Sequence, residues 1–68
     1  MAETVITREM IEAAAAAIAN NRAARGSGAP AITNVLEMLE RVSPKLLVEV
    51  TEDAEAALKA AFAVRGSQ

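Results

Sequence analysis

Ser43-Pro44-Lys45-Leu46-Leu47-Val48-Glu49-Val50-Thr51-Glu52-Asp53-Ala54 is the stretch on which the fold turns. Read alone, Leu46-Leu47-Val48-Glu49-Val50-Thr51 is aliphatic and β-branched enough to serve as a strand. Its continuation decides otherwise. Leu47, Val50, Ala54, Ala57, Leu58, Ala61 and Phe62 recur at intervals of three and four, which keeps them on one side of a helix for about five turns. Ser43 is suited to an N-cap, and Pro44, whose fixed φ and missing N–H suit the first helical position, starts that helix while ending whatever precedes it. The same spacing rule governs the rest of the chain, so the expected fold class is all-α.

Working outward from Ser43-Pro44, Val35, Leu36, Leu39 and Val42 form a short apolar stripe, with Glu37, Glu40 and Arg41 facing away from it. Asn34 followed by Glu37 has the spacing of a capping box, although Ile32 or Thr33 also suits the start. Gly26-Ser27-Gly28-Ala29-Pro30 is a breaker cluster and reads as a loop. Before it, Met10, Ile11, Ala14, Ala15 and Ile18 share a face. Thr7 is the expected N-cap, Glu9 and Glu12 lie at the positive end of the helix dipole, Arg22 and Arg25 lie at the negative end, and Gly26 is the expected stop. The run Ala13–Ala17 has the highest helix propensity available. These signals predict one domain over 1–68: a three-helix bundle with helices at about 8–25, 33–42 and 44–64, frayed termini, and the second helix central in the core.

Composition limits what such a bundle can be. Hydrophobic residues make up 53% of the chain, but alanine supplies much of that share and Phe62 is the only aromatic. The core is therefore expected to be small aliphatic knobs packed against alanine, with Met10 and Met38 filling gaps. At 68 residues such a core is thin, and small domains usually add disulfides, a metal or a second subunit. Cysteine and histidine are absent, which removes disulfides and the usual zinc ligands and leaves self-association as the expected reinforcement. The alanine face of helix one has two readings, an intramolecular packing surface or the seam of a dimer.

The same absences bear on chemistry. General acid–base catalysis near neutral pH most often uses histidine, and tyrosine and cysteine are missing too. That leaves carboxylates and the lysines Lys45 and Lys59, with no base to activate a Ser or Thr nucleophile. Gly26-Ser27-Gly28 lacks the Lys-Ser/Thr partner of a phosphate loop. The expectation is a protein that is not an enzyme and uses no cofactor or metal. No secretory signal is visible and no apolar run approaches the roughly 20 residues of a membrane span, so the expected location is the cytoplasm.

Charge offers weaker pointers. Seven Lys and Arg against nine Asp and Glu give a net charge of −2, neither a polycation nor an acidic tail. Glu49, Glu52, Asp53 and Glu55 form the densest charged group, and the first three share one side of the third helix. A solvated face, with Glu55 and Lys59 as an i,i+4 pair, is the plain reading; an acidic docking face and carboxylate metal binding are the others. Arg22 and Arg25 are explained by the helix dipole, with phosphate contact as the alternative. Helix two, a tight turn and helix three have the outline of a helix-turn-helix, but the recognition helix would turn acidic after Lys45 and repel phosphate, so nucleic acid is not favoured.

Two segments also carry a resemblance. Ile6-Thr7-Arg8-Glu9-Met10-Ile11-Glu12-Ala13-Ala14-Ala15 and Glu52-Asp53-Ala54-Glu55-Ala56-Ala57-Leu58-Lys59-Ala60-Ala61 resemble the opening and closing helices of a type of small helical accessory protein of phages and prophages. The likeness covers about half of the chain, at its two ends, and the segment between, which in that type often holds a Trp, has no aromatic here. The resemblance implies a setting, the cytoplasm of a phage host, rather than an activity, and no functional residue is carried over. The leading expectation is a protein-binding module that occludes or bridges a partner, such as a host-factor inhibitor, with Glu49, Glu52, Asp53 and Arg41 as the partner-binding surface. A structural subunit of a phage particle or larger complex, and a DNA-associated regulator, are the alternatives.

Overall fold

The computed structural model describes residues 5–66, and the side chains of 5–64; of Gly66-Ser67-Gln68, expected to fray, Gly66 is instead the last residue of a helix and the other two lie outside this range. It contains three helices, α1 (Arg8–Ser27), α2 (Val35–Val42) and α3 (Pro44–Gly66), and no strand among the described residues. Leu46–Thr51 is helical throughout, so the apolar period outweighed local β propensity. Thr51 directs its hydroxyl back to the Leu47 carbonyl at 2.7 Å, which satisfies the side chain without leaving the helix.

The caps explain where the helices begin and end. Thr7 is the N-cap of α1 as expected: its Oγ1 accepts from the Met10 N–H at 3.1 Å, while the Thr7 N–H approaches Met10 Sδ at 3.4 Å. Met10 is thus a capping partner as well as half-buried filler. At the other end the expectation needs correction. Gly26 does not stop α1, which continues through Ser27, and the cap is Gly28, with φ 71°. Only the left-handed residue needs glycine, and there the Gly28 N–H donates to the Ala24 carbonyl at 2.8 Å.

α2 starts at Val35 rather than at residue 33, with Thr33 and Asn34 in a turn. The Asn34 side chain makes no capping bond to the backbone; its amide donates to Glu37 Oε1 at 3.3 Å instead. The capping-box spacing is present, but its side chains satisfy each other. Ser43 alone separates α2 from α3, and its carbonyl accepts from the Leu47 N–H at 3.1 Å. α3 runs on to Gly66, two residues beyond the expected end.

The buried core is Ala15, Ala19, Val35, Leu39, Val50 and Ala54, with Ile11, Ala14, Ala16, Ile18, Ile32, Leu36, Leu46 and Leu47 packed partly against it. Half of the six are alanine, which lets helix axes approach but contributes little apolar area each. α1 and α3 lie against each other and α2 lies against both, contributing Val35 and Leu39 to the buried cluster. Arg22 of α1 meets Glu49 and Asp53 of α3, while Ile11 shares a groove with Leu47; α1 and α3 therefore run in the same direction, and α2 returns between them.

Three apolar expectations are corrected here. Val42 is 69% exposed, and Met38 lies at the surface rather than in a core gap. The α3 stripe stops contributing to the buried cluster at Ala54; Ala57 and Ala61 are exposed, and Leu58 and Phe62 are only half-buried. α2, a short helix of 8 residues joined to α3 by Ser43 alone, does not reach along the later turns of α3. The alanine run of α1 is divided in the same way, with Ala15 buried, Ala14 and Ala16 packed on the core, and Ala13 and Ala17 exposed.

Candidate functional site

Three surface features bear on function, and two of them are built by residues from more than one helix. One is a groove of about 580 Å³ where the three helices meet. α1 contributes Arg8, Ile11 and Glu12; α2 contributes Leu36, Glu37 and Glu40; α3 contributes Leu47 and Thr51. Ile11, Leu36 and Leu47 also pack against the core, so the groove floor is the outer edge of the hydrophobic interior. Its rim carries three carboxylates and one guanidinium. Arg8 Nε donates to Glu12 Oε2 at 3.2 Å, an i,i+4 pair at the exposed start of α1.

A second, smaller hollow of about 300 Å³ lies on α2 and the loop before it, lined by Ile32, Asn34, Glu37, Met38, Arg41 and Val42. Met38 and Val42 are one turn apart and form its apolar side. Arg41, expected as a partner-binding residue, stands here and makes no ion pair among the described residues.

The acidic residues of α3 are the third feature. Asp53 accepts from Arg22 at 3.2 Å and Glu49 lies 3.8 Å from the same guanidinium, which ties the middle of α3 to α1. Each of these side chains is about half exposed, so each pair contributes between zero and about 1 kcal/mol. Arg22 therefore serves as an inter-helix tie in addition to sitting near the negative end of α1. Glu52 points to solvent and makes no ion pair among the described residues. The Glu55–Lys59 pair forms as expected, at 3.3 Å. The four expected partner-binding residues thus separate: Glu49 and Asp53 around Arg22, Glu52 alone, and Arg41 on α2.

Sequence reasoning did not single out Asn20. Its amide nitrogen donates to the Ile32 carbonyl at 3.2 Å, and its Oδ1 accepts from the Ile32 N–H at 3.0 Å, a two-point clamp on the loop that delivers α2. The available signal was a polar residue of modest helix propensity beside Ala19 on the inward side of an alanine-rich helix. The groove was missed for a different reason, because its rim is assembled from three helices and no single helix shows it. Among the described residues, no three Asp or Glu side chains converge as a metal cage would require, and no buried side-chain polar atom lacks a partner. No helix among them is long and apolar enough to cross a membrane.

Comparison with family models, with curated proteins and with solved structures gives no match to this chain.

Proposed function

We propose that this chain is a non-enzymatic helical module that works by binding another protein, which it occludes or bridges. One observation carries the reading: the apolar surface is not used up by the fold. Among the described residues six are buried, three of them alanine, while Met38, Val42, Val48 and Val64 are exposed and α3 adds nothing to the buried cluster beyond Ala54. A second protein surface completes the burial that a short chain leaves open. The setting implied by the resemblance, a phage or prophage accessory protein acting in the host cytoplasm, is the context in which we place this activity.

The test is affinity capture from host lysate with the wild-type chain and with M38K/V42K, alongside thermal melting of both. A specific protein retained by the wild type, and lost from a variant that melts at the same temperature, is the expected result. Identical captures, or none, would overturn the assignment of that surface.

A second reading has one observation in its favour. Ala13 and Ala17 are exposed, one turn apart on α1, and small side chains there let another copy approach closely. That suits a homo-oligomeric structural subunit, for which co-purification with intact particles is the check.

A further inference from the structure

We infer that the groove at the three-helix junction receives a cationic amphipathic helix from the partner protein. This rests on the reading of the chain as a protein-binding module and adds the chemistry of what is bound. The floor is a row of branched aliphatic side chains, Ile11, Leu36 and Leu47, one from each helix. Glu12, Glu37 and Glu40 surround it, opposed by a single cation, Arg8, which is already engaged by Glu12. Glu37 is held in place by the Asn34 amide, and Glu40 makes no ion pair among the described residues. The rim therefore presents net negative charge around an apolar strip.

A helix with one apolar stripe matches that strip, and Lys or Arg residues flanking the stripe reach outward to the carboxylates along their own aliphatic stems. A second copy of this chain is a poor occupant. Arg22 is committed to Glu49 and Asp53, α2 carries Glu37 and Glu40 beside its apolar row, and α3 carries Glu52 beside its own. Two copies with a net charge of −2 each would bring like charges together at this rim.

The experiment titrates isotope-labelled protein with a roughly 18-residue Leu/Lys amphipathic helical peptide and with its Leu/Glu counterpart. The expected result is amide shifts confined to the region of Ile11, Leu36, Glu40 and Leu47 with the Leu/Lys peptide, and none with Leu/Glu. Affinity should fall about three- to tenfold in E37Q/E40Q. E55Q, which removes a carboxylate charge of α3 away from the groove, should leave affinity unchanged, whereas E40Q alone should weaken it. Equal weakening by E55Q and E40Q would show that overall charge is responsible and overturn the proposal, as would equal binding of both peptides or no shift with either. Shifts centred on Met38 and Val42 would overturn the groove while leaving the binding-module reading standing. A groove that behaves as expected beside a lysate capture that M38K/V42K does not alter would separate the two in the other direction.

Discussion

Replacing Asn20 by Ala sets two physical effects against each other with opposite signs. Alanine has the higher helix propensity, so in an exposed helix interior the change would stabilise by roughly 0.5 kcal/mol. Asn20, however, makes two hydrogen bonds to the backbone of Ile32, at 3.2 and 3.0 Å, in a partly buried position. Each such bond contributes about 1 kcal/mol net, and Ile32 would be left with a backbone donor and acceptor to resolvate. The balance is a loss of about 1–2 kcal/mol, equivalent to roughly 4–15 °C in melting temperature for a domain of this size. The neighbouring residue supplies the control. Asn21 is exposed, so N21A retains only the propensity term and should be neutral to slightly stabilising. The assay is thermal unfolding of both variants followed by circular dichroism at 222 nm, at equal concentration. If N20A melts at or above the wild type, the clamp contributes nothing and the account of how the loop is held is wrong.

Other substitutions probe the helix ends, the core and the ion pairs. G26A should stabilise by about 1 kcal/mol, because Gly26 is helical and a Cβ there meets nothing within 4 Å. G28A should destabilise by about 1 kcal/mol through its positive φ alone; denaturant midpoints for the pair locate the end of α1. V50A should cost about 2–3 kcal/mol, since Val50 is the largest fully buried side chain, whereas V48A, two residues away and exposed, should change the midpoint little. R22A removes two half-exposed ion pairs and should cost about 1 kcal/mol or less, with the difference from wild type shrinking at high salt in equilibrium unfolding.

The fold was legible because its decisive signals are local and periodic. The interval pattern around Leu47 and Val50 outweighed a β-prone hexapeptide, and Ser43-Pro44 marked a boundary that the backbone observes to the residue. The misplacements share one cause: they concern relations between helices. Gly26 and Gly28 are equally plausible stops until the chain shows which one adopts the left-handed conformation. Val42 and Phe62 continue perfectly good stripes, but a stripe is buried only as far as a neighbouring helix extends. The same limit applies to function. The pairing of Arg22 with Glu49 and Asp53, the Asn20–Ile32 clamp and the groove rim all join residues distant in sequence, which no spacing rule connects.

Amide hydrogen exchange of the isolated, dilute chain goes to the heart of the matter, which is that the interior ends near Ala54 and leaves apolar surface for another protein. Slow exchange should be concentrated in the turns holding Ala15 and Ala19, Val35 and Leu39, and Val50 and Ala54, with the amides beyond Leu58 opening far more readily. Protection as strong at residues 59–64 as at Val50 would mean that α3 is held along its whole length and that the bundle is complete without a partner.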